Sequence, residues 1–172
     1  MISAIVLAGG EGKRMGGGKP TRLFRGRPLL AWSIDAVAPV ADEILVAVGP
    51  ALALDLPFGA RAVLDPGRGP LPAMHAAAAV AQGSLLVVVP CDVPLLAEDC
   101  YRALIAAARG RDGAIARSES VDDFLVACYR RGALLRCASE GAPRLALAEL
   151  DLARVPWLVR DADTQDELAR LE

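Results

Sequence analysis

Ile2-Ser3-Ala4-Ile5-Val6-Leu7-Ala8-Gly9-Gly10-Glu11-Gly12-Lys13-Arg14-Met15-Gly16-Gly17-Gly18-Lys19 is the stretch that decides the fold. Its opening run, 2–8, holds one small hydroxyl among apolar side chains and suits a strand buried on both faces, as in a parallel sheet. Gly9-Gly10 stops the strand, and four more glycines and three cations follow by Lys19. Without Cβ atoms, successive backbone N–H groups can close around an anion, and Arg14 and Lys19 add charge suited to a polyphosphate.

Outward from this stretch, strands and helices alternate. Pro28 suits the first position of a helix whose apolar side is Leu29, Leu30, Trp32, Ile34 and Val37. Strands are expected at 43–48 and 60–64, and the breaker-rich 65–70 must be a loop. An Ala-rich helix is expected at 72–82 with Gly83 as its C-cap. The apolar run 84–89 predicts a strand in the middle of the sheet. A helix at 97–109, strands at 112–117 and 124–129, two helical pieces at 133–139 and 144–149, and a last strand at 155–159 follow. Thr164 and Glu167 have capping-box spacing before a final helix. This order predicts an α/β fold, a three-layer α/β/α sandwich on a mostly parallel sheet with a Rossmann-like nucleotide-binding half. Ligands of such sheets lie at the carboxyl ends of the strands, here the loops 8–19, 65–71 and 90–94.

Composition narrows the function classes. The 172 residues, 54% hydrophobic, are expected to form a single domain, 1–172. A net charge of −2 and an aromatic content of 4% argue against a nucleic-acid partner. No apolar run approaches the ~20 residues that cross a bilayer, and no charged leader precedes an apolar stretch. The expectation is a cytoplasmic protein, monomeric or a small homo-oligomer. Cys91, Cys100, Cys128 and Cys137 are too far apart for a CxxC motif and read as buried reduced thiols. The chain has two lysines, Lys13 and Lys19, both inside the glycine-rich loop.

Three phosphate-binding patterns fail. A Walker loop needs GxxxxGK before Ser or Thr, but Pro20 follows Lys19. A dinucleotide fingerprint is met at Gly10 and Gly12 and broken at Met15. Gly12, Gly16 and Gly18 have short-chain dehydrogenase spacing, yet neither Tyr101 nor Tyr129 has a Lys four residues later.

LAGGxGxRMGxxK, met in full from Leu7 to Lys19, resembles the signature of nucleotidyltransferases of GT-A-like fold. Gly69-Pro70-Leu71 resembles the GPLAG element of the MobA-like molybdenum cofactor guanylyltransferases, and Pro90-Cys91-Asp92-Val93-Pro94 resembles their PCDxP element. Asp161-Ala162-Asp163-Thr164 resembles the start of the family's carboxyl-terminal motif. The chain departs from the pattern at Pro72-Ala73, at Gly18 where an Asp is usual, at Gln165, and at Asp123-Phe124 where a His/Gln-Pro pair is usual. The last departure falls on a strand that lies near the acceptor in relatives.

The resemblance implies a Mg2+-dependent enzyme that transfers GMP from GTP to the phosphate of molybdopterin and releases pyrophosphate. The alternative is a related nucleotidyltransferase with another base or acceptor. Arg14, Lys19 and Asp92 are the expected catalytic residues. Leu7, Ala8, Gly9, Gly10, Gly12, Lys19, Asp65, Gly69 and Asp92 are expected to bind the nucleotide. Asp92 is the expected metal ligand, joined by Asp161 or Asp163. His75 is expected on a helix face without a catalytic role, and Cys91 is not expected to act as a nucleophile.

Overall fold

The computed structural model describes residues 1–9, 18–49, 56–57, 59–162 and 164–171. Its main sheet has seven strands: β1 (Ile2–Leu7), β4 (Glu43–Val48), β5 (Ala60–Leu64), β6 (Leu85–Pro90), β7 (Gly113–Ser118), β8 (Val121–Arg130) and β9 (Leu152–Pro156). Two short strands, β2 (Leu23–Phe24) and β3 (Arg27–Pro28), form a separate hairpin. The sheet order is β5-β4-β1-β6-β8-β7-β9. The β5-β4-β1-β6 half is parallel, β8 runs antiparallel to both β6 and β7, and β9 is parallel to β7. The first run is therefore an interior strand, and the most apolar run is the central one. Both placements follow from strands that must bury both faces.

Alternate side chains of β1 and β6 feed two cores. Ala4, Val6, Val87 and Val89 face α1 (Leu29–Val37) and α3 (Glu98–Ala107), meeting Leu30, Ile34, Tyr101 and Leu104. Ile5, Leu86 and Val88 face α2 (Pro70–Val80) and α4 (Arg131–Arg136), meeting Leu71, Met74, Ala77 and Leu134. The three-layer α/β/α arrangement is thus present, on a mixed but mostly parallel sheet. A third cluster joins Phe24 and Leu29 to Ala162 and Leu168, the latter on α6 (Gln165–Leu171), with Trp32 packed against it.

Several boundaries differ from expectation. Helix α2 starts at Pro70, two residues early, because Pro70 and Pro72 both fall in its first turn, where a backbone N–H is not needed. Gly83 is not its cap: the helix ends at Val80, and the Gly83 N–H goes to Ser3 Oγ at 2.9 Å. A Cβ on Gly83 would lie 2.6 Å from the Ser3 nitrogen, so close approach to β1 explains this glycine. Pro28 ends β3 and precedes α1 rather than opening it. Strand β9 ends at Pro156 because it follows the register of β7, with the Trp157 N–H closing the ladder on the Arg117 carbonyl at 3.0 Å. Helix α5 (Pro143–Ala146) is a single turn, shorter than expected. Thr164 and Glu167 form the expected capping box, with Thr164 N to Glu167 Oε2 at 2.9 Å and Glu167 N to Thr164 Oγ1 at 3.2 Å. No helix among the described residues is long and apolar enough to cross a membrane.

Candidate active site

Strand β1 has β4 on one side and β6 on the other, so the chain changes direction across the sheet at this strand, which is where open α/β sheets leave a crevice. A cavity of about 360 Å3 opens there. Leu7, Gly9, Lys19, Asp65, Gly67, Gly69, Pro70, Ala73, Pro90, Cys91, Asp92 and Leu125 line it.

Lys19 opens a 3-10 turn, Lys19–Thr21, tied down by the Thr21 N–H and Thr21 Oγ1, which bond the Gly18 carbonyl at 3.0 and 2.9 Å. Gly18 has φ +65°, a left-handed conformation that glycine adopts freely and Asp or Asn tolerate better than other residues. That geometry reconciles Gly18 with the Asp usual in the resembling motif. Asp92 lies two residues beyond β6, in a turn held by Cys91 N to Leu7 O at 3.2 Å and Ser33 Oγ to Pro90 O at 3.2 Å. Lys19 Nζ donates to Asp92 Oδ2 at 2.7 Å, with the side chains 13% and 20% exposed. Residues 73 positions apart thus meet in a charge-assisted bond shielded from most of the solvent.

Asp65, 7% exposed, follows β5, and its N–H reaches the Val48 carbonyl at 2.8 Å. Its Oδ1 accepts from the Gly67 N–H at 2.8 Å. Its Oδ2 lies so near Gly9 that a Cβ there would come within 1.9 Å of it. Gly9 is therefore required by the carboxylate. Gly69, φ +105°, leads into α2 at the cavity edge. Ala8 is fully buried, gives its N–H to the Ala47 carbonyl at 2.9 Å and is not part of the cavity wall.

Asp161 is exposed and comes beside Asp92 through the backbone bond from Ala162 N to Asp92 O at 2.9 Å. Gly10, Gly12, Arg14 and Asp163 lie outside the described residues. Burial pushes the Cys91 thiol up to about 12, the charge on Asp92 adding to the rise, so no thiolate is available at neutral pH. His75 lies on α2 with its imidazole held below the ordinary range by burial.

Sequence reasoning missed a feature of β8. Its register with β7 steps from Ile115↔Ala127 to Ala116↔Asp123, so Phe124, Leu125 and Val126 bulge out of the ladder. The bulge carries Leu125 into the cavity wall. Asp123 Oδ1 secures it by accepting from Leu125 N at 2.9 Å and Val126 N at 3.1 Å, while Tyr129 Oη donates to the Phe124 carbonyl at 2.8 Å. Burial raises the Asp123 carboxyl above its ordinary range; the two bulge N–H groups oppose this, and the charges of Asp92 and Asp161 add to it. The sequence signal was the pair Asp122-Asp123 heading an apolar run, which bulges near active sites can re-aim.

Asp92 and Asp161 supply hard oxygen donors of the kind Mg2+ or Mn2+ prefers. Among the described residues no group of three or more His, Cys, Asp or Glu side chains could hold a metal ion. The donor set suits an ion that takes its other ligands from substrate phosphates and water.

The fold and this cleft define an α/β domain of the nucleotidyltransferase class. The model of the MobA-like NTP transferase domain matches residues 4–155, and the chain belongs to that family. It is 35% identical over 113 residues to the molybdenum cofactor guanylyltransferase of Ectopseudomonas mendocina (strain ymp), an alignment covering 63% of this chain and 56% of that protein. The chain thus spans little more than half the length of that relative. In fold it is similar to molybdopterin-guanine dinucleotide biosynthesis protein A from Archaeoglobus fulgidus, with TM-score 0.77 at 20% identity over 99% of this chain and 96% of that one. It is also similar to the manganese complex of Rv0371C from Mycobacterium tuberculosis H37Rv, with TM-score 0.75 at 19% identity over 99% and 97% of the two chains. At these identities the two structures speak for the fold alone.

Proposed function

We propose that the protein is a Mg2+-dependent guanylyltransferase that moves GMP from GTP to the phosphate of molybdopterin, with pyrophosphate leaving. The observation that carries this reading is what lines the cleft: the buried Asp65 carboxylate together with the Lys19–Asp92 pair. Guanine offers two adjacent donors, N1–H and the 2-amino group, which match a fixed carboxylate such as Asp65. The 35% identity to a molybdenum cofactor guanylyltransferase supports the same base and acceptor.

A phosphate monoester is already anionic at neutral pH, so attack on the α-phosphorus needs placement and charge neutralisation rather than a strong base. Lys19 would neutralise the phosphate charge through a compact ammonium, and Arg14 is assigned the same task by its motif position. Asp92, with Asp161 or Asp163, would hold the metal, which supplies Lewis-acid stabilisation of the phosphate oxygens. Gly9 makes room for the Asp65 carboxylate, and Gly69, with open space where a Cβ would stand, would let the nucleotide approach the backbone. The alternative reading, the same transfer to another phosphorylated acceptor, draws on Asp123: a carboxylate stands where relatives carry His or Gln.

The test is a thermal-shift panel of GTP, CTP, ATP and UTP with Mg2+, since a ligand of the native state raises its melting temperature. GTP is expected to give the largest shift and Asp65→Asn to reduce it selectively. A shift with CTP and none with GTP overturns the guanine assignment. Pyrophosphate release with molybdopterin, absent in Lys19→Ala and Asp92→Ala, tests the transfer.

A further inference from the structure

We infer that Lys19 holds Asp92 closed to a bare divalent cation and releases it when a triphosphate draws the ammonium away, so that nucleotide and metal enter the site together. This rests on the transfer reading above and adds an order of binding to it.

The bond itself carries the inference. Asp92 Oδ2 lies 2.7 Å from Lys19 Nζ, so a cation seeking that oxygen meets a positive charge already on it. Both side chains are mostly out of solvent, where like-charge repulsion is screened less than on the surface. Moving Lys19 needs no backbone change, because a four-carbon stem separates its ammonium from the Lys19–Thr21 turn. Asp92 has the shorter side chain, on a backbone held by the Ala162 N–H to its carbonyl and by the Cys91 N–H to the Leu7 carbonyl. The lysine is the moving part.

A triphosphate offers that ammonium a stronger, more highly charged partner. Binding then frees the carboxylate and delivers phosphate oxygens to complete the metal's coordination. Metal and nucleotide must therefore favour each other, and the coupling is reciprocal.

The experiment measures Mn2+ binding to the whole chain without nucleotide, by electron paramagnetic resonance of the free ion. Wild type is expected to bind Mn2+ weakly, and Lys19→Met about tenfold more tightly or better. Lys19→Arg, which restores a cationic donor, is expected to bind as weakly as wild type. Adding Asp92→Asn to Lys19→Met is expected to abolish the gain. The inference is overturned if Lys19→Met binds no more tightly, if Lys19→Arg gains as much, or if the gain survives Asp92→Asn. Thermal shift of the wild type with Mg2+ and GTP separates the two levels. No shift defeats the transfer reading and the inference with it; a shift without the Lys19→Met gain defeats the inference alone.

Discussion

Gly9 shows how much one missing Cβ can decide. The position looks like an ordinary member of a glycine-rich loop, but the carboxylate of Asp65 occupies the space a side chain would need. Gly9→Ala must displace a buried acid that is fixed by its own N–H bond to Val48 and by the Gly67 N–H. Overpacking of this kind costs roughly 1–3 kcal/mol. If that cost falls on the bound geometry, affinity for Mg2+ and GTP should drop by about five- to a hundredfold, at ~1.4 kcal/mol per factor of ten. Calorimetric titration of the variant checks this, and unchanged affinity would separate Asp65 from nucleotide binding. Asp65 was legible in the sequence through the family resemblance, as a position similar to a nucleotide-contacting Asp. Its contact with Gly9 was not, because it joins residues just past the ends of two strands, β1 and β5, that are not adjacent in the sheet.

Strands β1, β4 and β5 were legible because each is a short apolar or β-branched run between breakers, and the capping box because Thr164 and Glu167 interact within one turn. The elements that escaped depend on a partner. The β2–β3 hairpin rests on Arg25 and Gly26 both at positive φ and on the packing of Phe24 against Trp32, with ring centroids 5.6 Å apart. The polar start of β8 pairs with β7 across a tight turn at Glu119, φ +53°. The bulge in β8 is visible only as a register step, yet it gives a sharp prediction. Asp123→Ala leaves the Leu125 and Val126 N–H groups without their acceptor, at about 1–3 kcal/mol, whereas Asp123→Asn keeps an acceptor oxygen and should recover most of that stability. Tyr129→Phe removes the bond to Phe124 while keeping the core filled, for about 0.5–1.5 kcal/mol. Urea unfolding of the three variants measures these losses. Equal losses for Asp123→Asn and Asp123→Ala would show that the carboxylate does not hold the bulge.

Across the whole molecule, the carboxyl ends of the parallel strands form the cleft, while the opposite ends are tied by Glu43. Its Oε2 accepts from Ser3 Oγ at 2.5 Å and Gln82 N at 3.0 Å, and its Oε1 accepts from Arg61 at 2.8 Å. One carboxylate at the start of β4 thus links β1, β5 and the turn into β6, three neighbours that come from distant parts of the chain. Burial alone would raise its pKa, but the bonds from Ser3, Gln82 and Arg61, with the Arg61 charge, outweigh it and hold the group below its ordinary value of 4.5. A carboxyl whose folded value is lowered stabilises the fold fully above its unfolded value and loses that contribution as pH falls through the folded value. Glu43→Gln keeps the shape and removes the charge, so it should be less stable than wild type at pH 7. The gap should narrow below about pH 4.5, as protonation removes from wild type what the substitution already lacks. Urea unfolding of both chains from pH 7 to pH 3 measures it. A gap that stays constant over that range would mean that neutral hydrogen bonds, and not the carboxylate's charge, hold the strand starts together.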